Sequence, residues 1–354
     1  MYYKIDFLWK KIYLPFWFHN LVPMSLTSFY INEPVRWGII GCGNVTEVKS
    51  GPAYNLTNGF ELFGVMRRDI SKAKDYAKRH NVPFYTNDAS KIIENSEIDA
   101  IYIATPPDTH KFYALQAAAA GKPCCIEKPM APTYADSLEI YNAFNDKQLP
   151  LFIAYYRRSL PRFLKIKEWL NHKYIGEVRH IKWYKSRNAS PLDLSGDYNW
   201  RTDKKIAPGG YFDDLASHGL DLFTFLLGDI TDAKGYATNQ QGLYSAYDAI
   251  TGSWIHHNGV LGSGSWIFGA QKPEDKVEIT GAKGVIKFSV LGEEPIELDS
   301  ETKKESLFIK HPKHLHGYHV ANMKKHLFGE TIHPSLGRSG LHTSWVMSMI
   351  LNSN

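Results

Sequence analysis

The stretch VRWGIIGCGNVT, Val35–Thr46 in a chain of 354 residues, decides the fold. It is apolar at nearly every position, with no in–out alternation, and it runs into Gly41 and Gly43. An apolar run of this kind reads as a strand covered on both faces, the habit of a parallel sheet. Glycines at its end have a physical purpose: Gly41 permits a tight turn, and Gly43 lets a ligand approach the backbone. Asn44 and Val45 then open a helix whose first N–H groups and positive dipole end suit a pyrophosphate. Thr46 stands where the third glycine of the G-x-G-x-x-G pattern falls, a close-packing position that accepts other small residues. Alone the motif is weak, since any strand–turn–helix can carry it. At the head of a βαβ series it becomes a dinucleotide site.

Such a series follows. Val45 to Asn58 reads as a helix and its loop, FELFGVM (Phe60–Met66) as a second strand, and SKAKDYAKRHN (Ser71–Asn81) as a helix. IDAIYIAT (Ile98–Thr105), KPCCIEKP (Lys122–Pro129) and LPLFIAYY (Leu149–Tyr156) are further strands, separated by helical KFYALQAAAAG and TYADSLEIYNAFNDKQ. Strands alternating with helices of this length predict a doubly wound parallel sheet, an α/β Rossmann domain, over residues 35–156. After Tyr156 a helix, LPRFLKIKEWLNH, leads into alternating segments joined by HHNG and TGAKG turns, then into two final helices. That pattern predicts an α+β C-terminal domain with a mostly antiparallel sheet over 157–354, whose last helices can pack back on the first domain.

Composition narrows the function. A net charge of +5 without any long basic block gives no stripe for nucleic acid. Cys42, Cys124 and Cys125 form no disulfide or zinc spacing, so no metal is expected and a reducing, cytoplasmic location fits. Residues 1–34 are aromatic, but Lys10, Lys11, Pro15 and His19 break the run. That fits neither the layout of a signal peptide nor that of a membrane span well, and an anchor stays the lesser alternative. The expectation is an extension ahead of a start near Met24 that adds little to function.

The second strand ends in VMRRD. An NAD site wants a carboxylate there, about 20 residues past the glycines, to hold the ribose hydroxyls. Arg67 occupies that end, Arg68 follows, and Asp69 falls two residues late. A guanidinium can grip a 2′-phosphate bidentately, with Arg68 stacking on adenine or sharing the phosphate, so NADP(H) is the preferred cofactor and NAD(H) the alternative. An ordinary charged turn would read the same way. Glu127 and Lys128 follow directly on a buried strand, at the end where ligands of such sheets sit. Lys128 can there bond a ribose hydroxyl and a substrate oxygen. In PGGYFDDLASHGLDLFTFL, Asp214 and His218 are four apart and share a helix face. His218 suits proton transfer, Asp214 orients it or contacts substrate, Asp221 supports it, and Asp213 caps or solvates the first turn.

GCGN, IATPPDTHKFYALQAAAAGKP, EKPMA, Trp200–Arg201 and GGYFDDLASHGLD together resemble the Gfo/Idh/MocA family, from about Val35 to the C-terminus. The resemblance implies hydride transfer between a nicotinamide and a carbon of a sugar or small polyol. Lys128, Asp214 and His218 then form the catalytic set. It also implies a homodimer or homotetramer built on the open sheet. Thr105, Pro106, His110 and Glu127 are counted with the cofactor contacts. Lys49, Tyr156, Arg157, Trp200, Arg201 and Tyr211 are substrate candidates, although packing at the domain interface explains each singly. Two other functions remain open: a glycosidase that keeps its NAD and works by oxidation, elimination and re-reduction, and a cofactor-binding regulator without catalysis.

Overall fold

The computed structural model describes residues 31–352; residues 1–30 of the expected extension lie outside them. The first sheet has six strands: β1 (Val35–Ile40), β2 (Phe60–Met66), β3 (Phe84–Thr86), β4 (Ala100–Ile103), β5 (Cys124–Ile126) and β6 (Leu151–Ile153). Their order is β3-β2-β1-β4-β5-β6, and every pairing is parallel. The chain winds outward from β1 in both directions, so the order reverses between β1 and β4. The crevice over the carboxyl ends of these two strands is where such sheets bind ligands. β3 has no counterpart in the sequence reading. Its three residues, preceded by Pro83, are too few to show a period, and pairing with Gly64–Met66 is what makes them a strand.

The expected helix after the glycine turn is two short ones, Asn44–Val48 and Gly51–Leu56, broken at Lys49–Ser50 with Pro52 in the first turn of the second. Proline tolerates that position because no N–H is needed there.

The second sheet has eight strands: β7 (Val178–Arg187), β8 (Ile230–Thr238), β9 (Ala249–His256), β10 (Leu261–Phe268), β11 (Glu274–Gly281), β12 (Gly284–Phe288), β13 (Ile296–Ser300) and β14 (Lys304–Leu307). Their order is β14-β13-β12-β11-β7-β10-β9-β8, antiparallel throughout except for the β7–β10 pair. Alternation along β7 sends Ile181 and Trp183 into the core and leaves Lys182 and Tyr184 exposed. The helix Ser217–Leu227 packs on the covered face. A Cβ on Gly219 would come within 2.2 Å of the Trp183 ring, so glycine there allows the close approach that sets this helix against the sheet.

The final helices join the two sheets. Ile153 of β6 donates its N–H to Ser335 O at 3.2 Å, and Ser335 Oγ donates to Ile153 O at 2.7 Å. The helix Gly337–Leu351 is buried along most of its length. Asp221, expected to support His218, instead binds Arg158 at 2.8 Å and accepts from Thr343 Oγ1 at 3.2 Å. It is a structural bridge between helices.

Candidate active site

Gly41 has φ +95°, and a Cβ there would lie 2.7 Å from Thr105 Cγ2 and 2.9 Å from the carbonyl carbon of Ala104. Only glycine fits both the backbone and the space. The N–H groups of Gly41 and Cys42 both donate to Met66 O, which fastens the turn to the end of β2. Gly43 precedes the helix Asn44–Val48, and the nearest atom to its missing Cβ is Gly41 O at 3.8 Å, so that side is open. Thr46 is fully buried; its Oγ1 donates to Gly43 O at 2.8 Å, and its carbonyl accepts from Tyr76 Oη at 2.9 Å. A hydroxyl thus closes the turn at the third glycine position.

At the end of β2 the three charged residues separate. The carboxylate of Asp69 caps the helix Ile70–His80, accepting from Ser71 N at 3.0 Å and Lys72 N at 3.3 Å. The Ser71 hydroxyl, which donates to it at 2.6 Å, and then these helix N–H groups hold its pKa below the usual carboxylate range. Arg68 is exposed, whereas Arg67 is half-buried and lays Nη1 3.2 Å from Cys42 O, against the glycine turn.

After β4, Thr109 Oγ1 donates to Thr105 Oγ1 at 2.7 Å beside Pro106. His110 is fully buried; Nε2 lies 2.8 Å from Thr105 O and Nδ1 3.1 Å from Pro129 O, while burial pushes its pKa down. The ring ties the Thr105 loop to the Lys128–Pro129 loop. Glu127, buried, accepts from Tyr102 Oη at 2.5 Å, and Tyr102 also reaches Ser50 Oγ at 3.0 Å. Burial raises the Glu127 pKa, against the opposing pull of Tyr102 and Lys128.

Lys128 crosses to the other domain. Its Nζ donates to Asp214 Oδ1 at 2.5 Å and to Asp214 O at 2.8 Å, while Arg201 Nε donates to Asp214 Oδ2 at 3.0 Å. Burial would raise the Asp214 pKa, but the Lys128 and Arg201 charges hold it at about 2. The expected D-x-x-x-H pairing is absent: Asp214 makes no hydrogen bond to His218. Phe212–Ala216 is a π-turn, so the carboxylate is directed away from the α-helical face on which a four-residue spacing would put it. His218 is 5% exposed, its Nδ1 has no hydrogen-bond partner, and its ring meets Tyr156 edge-on at 5.5 Å. Burial, then the charges of Arg157 and Lys128, push its pKa well below the ordinary value, so it is neutral.

The other substrate candidates divide into two groups. Tyr156 and Arg157 are buried beside His218, and the Arg157 guanidinium lies 4.8 Å over the Tyr156 ring. Lys49 is exposed at the break between the two short helices, and its carbonyl accepts from His316 N at 3.0 Å. Arg201 stacks on Trp200 at 4.3 Å, and Trp200 lines a cavity of about 450 Å³ with Pro107, Pro129, Asp213 and Tyr247. Tyr211 is occupied structurally: its hydroxyl donates to Asp193 Oδ1 at 2.5 Å and accepts from Asn199 at 3.0 Å. Among the described residues no cluster of His, Cys, Asp or Glu is placed to hold a metal, and no helix is long and apolar enough to cross a membrane.

Residues 35–155 match the family described as an oxidoreductase family with an NAD-binding Rossmann fold, and residues 163–287 match the GFO/IDH/MocA C-terminal domain. Oxidoreductase P35 of Formosa agariphila is 38% identical over 283 residues, 79% of this chain and 87% of that protein. The chain belongs to the GFO/IDH/MocA family of oxidoreductases. A 1,5-anhydro-D-fructose reductase of Ensifer adhaerens is 24% identical over 265 residues, 74% of this chain and 78% of that protein. The fold is shared with a levoglucosan dehydrogenase solved with NADH, at a TM-score of 0.78 and 22% identity, covering 89% of this chain and 95% of that one.

Within this GFO/IDH/MocA chain Asp213, expected to cap or solvate the first turn, lies in the interior, and one further buried group, His316, was not anticipated. Asp213 is not solvated; it is buried, accepts from Gly209 N at 2.8 Å, and burial raises its pKa to about 7. His316 is buried against Tyr156 at 4.6 Å, with Nε2 3.8 Å from Glu127 Oε1. Burial and the Lys49 and Lys128 charges lower its pKa to about 3. The repeated acid in FDDL was a signal for Asp213. His316 had none, because it reaches the site from the far end of the chain.

Proposed function

We propose that this oxidoreductase transfers hydride to or from a carbinol or carbonyl carbon of a sugar or small polyol, with NADP(H) preferred over NAD(H). The relatives' names, levoglucosan dehydrogenase and 1,5-anhydro-D-fructose reductase, support the substrate class. The residues present suit the cofactor: the left-handed Gly41, the open side of Gly43, and Arg67 at the end of β2 in place of a carboxylate already spent on a helix cap. A nicotinamide bound there supplies or accepts the hydride. Residues 35–156 hold the cofactor with Gly41, Gly43, Asn44, Val45, Arg67, Arg68, Thr105 and Pro106, and residues 157–354 supply the substrate side.

The observation that carries the reading is the Lys128–Asp214 ion pair, which closes between the two domains beside a neutral histidine. Lys128 offers its ammonium to the reacting oxygen and favours alkoxide character; Asp214 and Arg201 fix where that ammonium sits. His218, uncharged, takes the hydroxyl proton during oxidation and returns it during reduction. The exposed face of the eight-stranded sheet, with Tyr184 and Leu261 about half exposed and Tyr184 lining a concavity of about 900 Å³, supports assembly into homodimers or homotetramers. A cytoplasmic location agrees with three buried free thiols.

The test is a panel of sugars, sugar acids and polyols followed by nicotinamide absorbance, in both directions and with both cofactors. Turnover faster with NADPH or NADP⁺ is expected, lost in Lys128→Ala and His218→Ala. Full activity in both variants on an identified substrate would remove the assigned roles.

A further inference from the structure

The segment after β6, Tyr156–Arg162, carries three buried arginines, and of these only Arg158 forms an ion pair among the described residues. Arg158 binds the Asp221 carboxylate through Nε and Nη2, both at 2.8 Å, and also reaches Thr224 and Pro334 O. Arg162 forms no ion pair and its Nε is buried without a partner, but both of its terminal nitrogens donate to carbonyls, those of Gly292 and Glu294, each at 2.9 Å. Arg157 differs. It is 5% exposed, its single hydrogen bond runs from Nε to Val290 O at 2.8 Å, and Nη1 is buried without a partner. No carboxylate among the described residues forms an ion pair with it. Asp221, the acid whose pKa the Arg157 charge lowers, is bound by Arg158, and the acids around Lys128 are committed too: Asp214 to Lys128 and Arg201, Glu127 to Tyr102.

A buried cation without a counter-charge is costly, and breaking a buried pair is costly for the same reason. Its location says what could offset that cost. The guanidinium lies over the Tyr156 ring, which also meets His218 at 5.5 Å and His316 at 4.6 Å. It is therefore one ring away from the proposed proton-transfer group. Of the charges that depress His218, that of Arg157 is the largest, ahead of Lys128, and Lys49 adds to both histidines. Lys49 likewise forms no ion pair among the described residues. Arg157, Lys128 and Lys49 thus act together on His218, and the carboxylate that pairs with cations beside it, Asp214, is already held by Lys128 and Arg201.

We propose that the sugar substrate carries a carboxylate, and that Arg157 binds it through the free end of its guanidinium fork. The proposal rests on the oxidoreductase reading above and narrows its substrate class to sugar acids. A planar fork matches the two oxygens of a carboxylate, and a small planar anion suits so enclosed a group better than a phosphate does.

The experiment compares kcat/KM for a panel of uronic and aldonic acids with the parent neutral sugars and their 6-phosphates, in wild type, Arg157→Gln and Arg157→Lys. Melting curves of each variant establish that it is folded. Wild type should favour an acid over its neutral parent about 100-fold or more, as expected when a site built for a polar group meets an analogue lacking it. Arg157→Gln should bring that ratio close to one, mainly through KM of the acid, and Arg157→Lys should restore part of it. Neutral sugars or sugar phosphates turned over as well as the acids by wild type would overturn the carboxylate assignment while leaving the oxidoreductase reading in place. Absence of turnover across the whole panel, with either cofactor, would overturn both.

Discussion

Lys128 Nζ and Asp214 Oδ1 lie 2.5 Å apart although 86 residues separate them in the chain, and Arg201 takes the other oxygen of the same carboxylate at 3.0 Å. The lysine comes from the end of β5 in the first domain and the aspartate from the π-turn before the helix Ser217–Leu227 in the second. One carboxylate therefore sets the distance between the cofactor side and the substrate side of the cleft. Asp214→Asn keeps the shape and removes the charge that positions the ammonium. Its kcat should fall about 100-fold, less than the loss in Lys128→Ala, with the cofactor Kd little altered. Steady-state rates together with cofactor titration check this; unchanged kcat would show that the pair is structural.

His218 is buried among cations and has a pKa well below 6.5, so its ionisation does not enter the neutral pH range. The rate of alcohol oxidation should show no inflection near pH 6.5. His218→Asn should lower kcat by roughly 10²–10⁴-fold at all pH values between 6 and 8, the range typical of a lost proton-transfer group. A pH–rate profile with a wild-type break near 6.5 that vanishes in the variant would contradict the neutral assignment.

Asp213 and His316 should tilt stability in opposite directions. Asp213 titrates near 7 in the fold and near 3.8 when unfolded, so between these values the native state holds the extra proton and stability falls as pH rises towards 7. Asp213→Asn should remove that slope, about 1.4 kcal/mol per pH unit at most. His316, lowered to about 3, stays neutral in the fold while the unfolded chain protonates below 6.5, so its contribution is lost as pH falls from 6.5. His316→Asn should flatten the acid limb. Denaturant titrations between pH 4 and 8 measure both slopes; a variant parallel to wild type across that window would refute the corresponding assignment.

Arg67 and Asp69 of VMRRD should separate on mutation. Arg67→Ser should weaken NADPH binding about 10- to 100-fold, the effect of losing a charge-assisted hydrogen bond, and leave NADH nearly unchanged. Asp69→Ala should leave cofactor choice alone and lower stability as a lost helix cap. Equal loss of both cofactors in Arg67→Ser would place the guanidinium outside the discrimination.

Both domains were legible because their periods are strong. Continuous apolar runs ending in glycine or Lys–Pro marked the parallel strands, and alternation marked β7 to β13. β3 was not, since three residues carry no period and its pairing partner is remote in sequence. In the candidate site, Lys128, Asp214 and His218 could be picked out by residue type and spacing. Their arrangement could not: a helical period of 3.6 predicted an Asp214–His218 pair, and the π-turn Phe212–Ala216 replaced it with a pair to Lys128.

The order of residues by itself determined the layered sheet, the strained turn that only Gly41 can make, and the charge at the end of β2, because these depend on neighbours along the chain. Tertiary structure alone decided which charges are compensated. Asp69 is spent on a helix, Asp221 on Arg158, and Asp214 on Lys128 and Arg201, while Arg157 forms no ion pair among the described residues. A counter-charge is chosen by distance in space and by burial, and neither is written in the spacing of residues along one strand or helix.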